Sequence, residues 1–475
     1  MSRQPHALIP LVGGLLLGTA CAPARGPDRE VRLLFTGDIL LSRQVAVEMA
    51  ATRRSPWAGM SDLFAGADWL GGNLEGAIGP AHDCRTADSA ACFAFPDSSA
   101  VLLARAGFDA LTLANNHSAD LGHTGRFRTR ELLRQAGVLG VGFEDSPRFV
   151  RLQGVTVAIV AIDLVPGEDG AAQRVPSVAV AQKLRAARSL ADLVVVSVHW
   201  GQELHEWAGA DQRAAADWLV TQGADLIVGH HPHVVQPPEC VRGRPVFFSL
   251  GNHVFDQRDP VTKVGLIADC RILRGAMQCG AIGTETRHGS AVPVVREGAR
   301  LVGLEECAVP LRAPLVVAGV ELRPRPWTPG DTLEGTALEG WKDGRREWTT
   351  RPVELVGLQG GLRGSDPIPY LFALELHPSA MDKVVALRPH VYAVGDHGLI
   401  AKWRGTALAW PLLDAVVDEE GELCALHRGD SFIRPDPTVT TTRTLHYKWN
   451  GFGFSATNDS AKSAACARLM RALTG

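Results

Sequence analysis

The 475-residue sequence predicts an α/β domain layered around buried strands, with a second, smaller, mostly-β domain after it. Three observations carry this. Apolar β-forming runs alternate with helical patterns between residues 31 and 260, the spacing of an α/β layered fold. The run at 155–163 is continuously rich in β-formers and that at 192–198 reads as another buried strand, as in strands buried on both faces. Beyond residue 330 the texture changes to short β-like runs separated by Gly, Pro and Asp. A hydrophobic content of 46% is ample for packed cores, and a net charge of -3 gives no electrostatic case for nucleic acid.

Residues 31–35 form a short strand followed by Thr36-Gly37-Asp38. Asp38 is either a ligand on the strand's C-terminal edge or an N-cap for the helix LLSRQVAVEMAA. The stretch 67–76 ends in Glu75, a ligand or a turn carboxylate, and a Cys-bounded insertion runs from 82 to 92. A helix at 99–106 leads to a strand at 108–114, which delivers Asn115, Asn116, His117 and Asp120. His123 reads as a surface loop residue. A helix at 129–137, the 155–163 strand and a helix at 182–190 follow. The 192–198 strand delivers His199 and then Glu203. A helix at 211–222 stops at Gly223 and precedes a strand at 225–228. A strand at 245–250 ends in Gly251 and Asn252.

The strongest local signal is Gly229-His230-His231-Pro232-His233, set at the end of the 225–228 strand, where open α/β sheets keep their sites. On an extended backbone His231 and His233 share one face, and Pro232 stiffens the spacing. Asp38, Glu75, Asn116 with His117, His199, and His231 with His233 each follow an apolar strand. Endings that recur in this way converge on one edge of a sheet. Oxygen and amide donors with three imidazoles match a two-metal hydrolytic centre, with metals about 4 Å apart sharing a carboxylate. The mixed N/O donor set suits Mn, Fe or Zn. Asn115, His230, Glu203 and Asn252 are further candidates.

The motifs FTGDILL, GGNLEGAI, LANNHSADLG, VSVHWGQE, GHHPHVVQP and SLGNHVFDQ, in that order, resemble the CapA family over roughly residues 31–260. These are poly-γ-glutamate capsule-synthesis proteins with a calcineurin-like metallophosphoesterase fold. The resemblance implies a four-layer α/β/β/α sandwich in an exported, surface-linked protein. It implies two divalent metal ions: Asp38 on the first, Glu75 in the bridging place, Asn116 and His199 on the second, and His231 and His233 on one each. His117 would be the general acid or transition-state donor, steered by Asp120, with His230 an optional extra. The chemistry implied is metal-assisted hydrolysis of a phosphoester or an amide-like bond. One departure from the wider superfamily is that Asp38 is followed by Ile39 and Leu40, without the usual Asp-x-His imidazole.

The N-terminus reads as an export signal: Arg3, an apolar stretch over 8–17, then Gly18-Thr19-Ala20-Cys21, which resembles a lipobox. Cleavage before Cys21 and its lipidation would leave 22–30 as a tether on the bacterial cell envelope. Of nine cysteines, eight then remain, an even number that suggests disulfides. Cys84 with Cys92, and Cys270 with Cys279, are spaced to clip a loop and a hairpin; the other pairings stay open.

The expected organisation is a signal peptide at 1–21, a tether at 22–30, a CapA-like domain at 31–312, a linker at 313–330 and a mostly-β domain at 331–475. His377, His390, His397 and His446 read as non-ligands. Trp403, Trp410, Trp449, Phe452 and Phe454 read chiefly as core, with a polymer-binding face as the rival use. A terminal helix is expected at 460–473. Expected partners are an anionic envelope polymer or its membrane synthase complex, with the membrane reached through the lipid anchor. A non-catalytic polymer-binding accessory and a secreted general phosphodiesterase are the competing functions.

Overall fold

The computed structural model describes residues 29–474, apart from 86–90, 143–146, 166–174, 176, 288–289, 301–303, 305–306, 330, 332–334, 365, 380–382, 406–407, 409 and 430–437. Cys21, the signal sequence and nearly all of the expected tether lie outside the described residues.

Two sheets carry the first part of the chain. The first has nine strands, with Val31–Ile39 in its interior. That strand runs parallel to Trp69–Leu74, and Ala110–Thr112 and Leu139–Val141 continue the parallel order. On its other side it pairs antiparallel with Val264–Leu273, and its end pairs parallel with Asn252–Val254, setting Asp38 opposite Asn252. The second sheet has six strands, with Val155–Asp163, Leu193–His199 and Leu226–His230 as parallel neighbours.

Alternation along each strand divides the apolar residues between two faces. Leu33, Phe35, Trp69 and Ala110 share one core with Val157, Ile159, Val195 and Val228 of the other sheet. Leu34, Leu70 and Leu111 point the opposite way, into a core shared with Val45, Phe64, Leu103 and Leu133 of four helices. Val160, Val194 and Val196 pack on Leu184, Ala187, Ala216 and Leu219 of the helices Val178–Leu190 and Ala210–Gln222. Each such fully buried Val or Leu is worth roughly 1.5–3 kcal/mol of transfer free energy.

Several expectations are corrected here. The first strand runs through Asp38 to Ile39, with register shifts around it, so Asp38 is not a helix cap; Ser42 precedes the helix Arg43–Thr52. The helix expected at 129–137 begins earlier, as Gly122–Gln135. The 313–330 stretch contains strands Leu315–Val317 and Val320–Pro324, which join Leu338–Lys342 and Arg345–Thr349 in a four-stranded sheet. Val317, Val320 and Leu322 bury into the same core as the Val178–Leu190 helix, which is why this proline-rich stretch is structured.

The remainder is mostly β, as expected. Two four-stranded antiparallel sheets, one from Leu355–Leu362 to Gly398–Arg404 and one from Leu412–Val417 to Phe454–Ala456, enclose Tyr370, Phe372, Val391, Leu423, Tyr447 and Trp449. Trp403 and Phe454 pack against that core, whereas Phe452 stands 89% exposed. The helix Ser460–Thr474 lies against the second of these sheets. Disulfides join Cys84 to Cys92 and Cys270 to Cys279, the two pairs suggested by spacing, and also Cys240 to Cys307 and Cys424 to Cys466. Among the described residues no helix is long and apolar enough to cross a membrane.

Candidate metal centre

Asp38, Glu75 and His233 come from three distant segments, yet each offers a ligand atom within 4.8 Å of the others. The backbone makes this approach possible. At Gly37 a Cβ would lie 1.9 Å from the Gly251 carbonyl oxygen, which accepts the Asp38 N–H at 3.1 Å. At Gly229 a Cβ would lie 2.1 Å from the Phe248 carbonyl oxygen. Glycine is therefore required where the strand feeding the histidines passes its neighbour.

Asp38 is fully buried. Its Oδ1 accepts from Asn73 Nδ2 at 2.8 Å, and its Oδ2 faces the His231 N–H at 3.3 Å and His233 Nδ1 at 3.5 Å. His230 Nδ1 is 3.1 Å from Oδ1 but off the direction of a well-formed hydrogen bond. Burial alone would raise the Asp38 carboxyl, but His230, His233 and Asn73 hold it below its usual value. Glu75, also fully buried, has no hydrogen-bond partner on either carboxylate oxygen; His233 Nε2 lies 3.5 Å from its Oε1. Burial first, then the charges of Asp38, Glu203, Asp120 and Asp163, push this carboxyl well above its usual range. A buried carboxylate without partners is costly unless a cation compensates it.

The second half of the cluster is histidine and amide. His199 Nε2 lies 2.8 Å from Asn116 Oδ1, and the His199 ring centroid is 4.8 Å from that of His231. Nδ1 of both rings is buried without a hydrogen-bond partner. Burial, and the neighbouring His231 and other imidazoles, push His199 well below its usual value, and burial with His233 lowers His231 to about 4. Both rings are thus held as neutral imidazole, the form that ligates metals.

The extended-backbone expectation for this motif is corrected. The strand ends at His230, and His231 and His233 adopt φ of 95° and 58°. The two side chains meet, with ring centroids 6.2 Å apart, through two left-handed residues rather than through strand alternation. Such conformations cost of the order of 1–3 kcal/mol each and are concentrated at functional sites.

His117 stands beside this cluster. Asp120 Oδ2 accepts from His117 Nδ1 at 3.0 Å and from the Phe93 N–H at 2.7 Å. The His117 ring stacks on Phe93 at 3.8 Å, and the Arg43 guanidinium lies 4.7 Å from the Phe93 centroid. Phe93 adjoins Cys92, so the Cys84–Cys92 bridge anchors the segment that supports His117. Among the further candidates, Asn115 spends its amide on Asn73 Oδ1 and the Leu74 carbonyl, tying two strand ends together. Asn252 Oδ1 accepts from His233 Nδ1 at 2.9 Å, which leaves Nε2 as the lone pair facing Glu75. Glu203 is exposed on a loop whose Leu204 N–H donates to the Pro232 carbonyl. Sequence reasoning missed Asn73 and Phe93. Asn73 sat in the quoted GGNLEG motif two residues before Glu75 and was the legible one of the two.

Residues 32–257 match the family model described as bacterial capsule synthesis protein PGA_cap. That segment, just under half of the chain, belongs to the PGA_cap family. The PGA biosynthesis protein CapA of Bacillus subtilis is 34% identical over 238 residues, 47% of this chain and 63% of that protein. The chain thus spans under two thirds of that relative's length. The capsule biosynthesis protein CapA of Bacillus anthracis is 29% identical over 322 residues, 62% of this chain and 78% of that one. Every residue of the cluster lies inside the PGA_cap segment, and the region from Leu315 onward lies outside it.

Proposed function

We propose that this PGA_cap protein is an exported participant in capsule or cell-envelope polymer synthesis, with a binuclear divalent metal centre and hydrolase-like chemistry. The observation that carries the proposal is the convergence of Asp38, Glu75 and His233 around a buried carboxylate without hydrogen-bond partners. The donor set fits Mn, Fe or Zn. Asp38 and His233 would hold one ion, Asn116, His199 and His231 the other, and Glu75 would bridge them. Bound there, such ions supply Lewis acidity to a phosphoryl or carbonyl oxygen and lower the pKa of water.

The chain's own residues do the rest. Asn252 fixes the His233 tautomer, and Asn73 orients Asp38. Asp120 and Phe93 hold the His117 ring with Nδ1 engaged, so that Nε2 can carry a proton to a leaving group. A four-layer α/β/β/α arrangement is supported by three cores, one between the sheets and one under the helices on each outer face. Lipidation at Cys21, and a boundary near 312 between the CapA-like and mostly-β parts, complete the proposal.

A specific observation favours a second reading, a non-catalytic polymer-binding accessory to a membrane synthase: Ile39 and Leu40 stand where a further imidazole would complete the first metal. Turnover of a generic phosphodiester separates the readings. Activity that is lost in His117→Ala with metal retained supports hydrolysis. A metal-free, inactive protein that still binds poly-γ-glutamate supports the accessory.

A further inference from the structure

A second group of metal-ligating side chains lies far along the chain, in the mostly-β region. Glu375 and His377 stand two apart on the strand Tyr370–Pro378, so they share a face. His390 lies on the antiparallel neighbour Val385–Gly395, opposite Ala373 on that same face. Each of the three offers a ligand atom, all within 4.8 Å of one another. We propose that Glu375, His377 and His390 form a separate site for a divalent transition-metal ion of the zinc class.

The hydrogen bonds prepare these ligands. His377 Nδ1 lies 2.9 Å from the Pro378 carbonyl oxygen, which can only accept. Nδ1 therefore carries the hydrogen, and the Nε2 lone pair is the one that faces Glu375 Oε2, 3.9 Å away. A carbonyl partner on the far nitrogen is the usual way a ligating imidazole is oriented. His390 Nδ1 lies 2.9 Å from Glu375 Oε1. Ligands about 2.0–2.2 Å from a tetrahedral zinc sit roughly 3.3 Å apart, so both separations need to change by only a few tenths of an ångström. A cation held there replaces the direct contact between His390 Nδ1 and Glu375 Oε1. The Tyr392 hydroxyl donates to Glu375 Oε1 at 2.8 Å and lies 2.8 Å from His390 Nδ1, so it borders the site against both ligands. Arg388, opposite Glu375 in the strand pair, donates to the carbonyl oxygens of His377 and Val384.

Burial fits a site with one open position. Glu375 and His390 are buried, whereas the His377 side chain is 39% exposed and gives the ion and a water access from solvent. Two imidazoles and one carboxylate form a zinc donor set of the kind that keeps a fourth place free. This site does not depend on the PGA_cap segment, which ends more than one hundred residues earlier, at 257.

The test is zinc binding by the full chain, read by chelator competition and by a zinc-edge anomalous map. The expected map has a peak between Glu375, His377 and His390. The expected titration has a zinc equivalent that survives His231→Ala with His233→Ala and is lost in His377→Ala with His390→Ala. Should the latter pair fail to fold, His377→Gln alone, at the half-exposed position, is expected to weaken that equivalent at least ten-fold. Zinc stoichiometry and affinity unchanged by the His377 substitution, with no peak at these residues, would overturn the proposal.

Discussion

Asn252 reaches no metal in this account, yet His233 depends on it. Its amide oxygen holds His233 Nδ1, and its Nδ2 is fixed in turn by Gln257 Oε1 and the Thr262 carbonyl. Asn252→Ala should therefore weaken metal retention by about 10–100-fold, the usual effect of removing such a support. Chelator competition measures it, and unchanged retention would contradict the role. His117→Ala should leave metal content intact and lower kcat by about 100- to 10,000-fold on any substrate that turns over. Phe93→Ala should give a smaller loss, because Asp120 still holds Nδ1. At this scale the sequence was informative about candidates and silent about roles. Asp38, His199 and His231 could be picked out because each ends an apolar run. An Asn at a strand end reads the same whether it binds a metal or turns an imidazole, so Asn115 and Asn252 needed coordinates. Phe93 was hidden because stacking on His117 brings together residues 24 positions apart, with no local pattern to signal it.

Among the elements, some were legible almost to the residue: the strand Val155–Asp163 coincides with its expected range, and the helices Ser98–Ala106 and Ala210–Gln222 each begin one residue before theirs. The start of the Gly122–Gln135 helix was not, because Gly122, His123, Thr124 and Gly125 are weak helix formers; of these only Gly125 is buried. Disulfides give an element-scale prediction. The Cys240–Cys307 loop spans 67 residues and the Cys270–Cys279 loop spans 9. On chain-entropy grounds, removing the first pair should cost about 4 kcal/mol and removing the second about 2.5 kcal/mol. Denaturant unfolding of the two double-serine variants checks the order, and equal losses would contradict it. Asp109 offers a pH test away from the metal cluster. Burial raises its pKa from 3.8 to about 6, against the Leu70 N–H bond that lowers it. The folded value exceeds the ordinary one, so protonated Asp109 stabilises the fold at acid pH, and that contribution is lost as pH rises from about 4 to about 6. Asp109→Asn keeps the Leu70 acceptor and should gain stability relative to wild type across that window, by at most about 3 kcal/mol. Thermal unfolding as a function of pH reads this, and a difference flat with pH would contradict it.

At the scale of the molecule, alternating strands and helices indicated an α/β fold, but not the order of strands. The central pairing of Val31–Ile39 with Val264–Leu273 joins segments more than two hundred residues apart, and it buries Leu33, Phe35, Leu266 and Ala268 in the core between the sheets. The packing of Val320 and Leu322 beneath the Val178–Leu190 helix was equally invisible, since proline-rich composition reads as linker until a partner surface is known. The most direct test of the central claim is an anomalous difference map of crystals grown with Mn, Fe or Zn. The account predicts two peaks roughly 4 Å apart, bounded by Asp38, Glu75, Asn116, His199, His231 and His233. A map with no peak among those residues would contradict it.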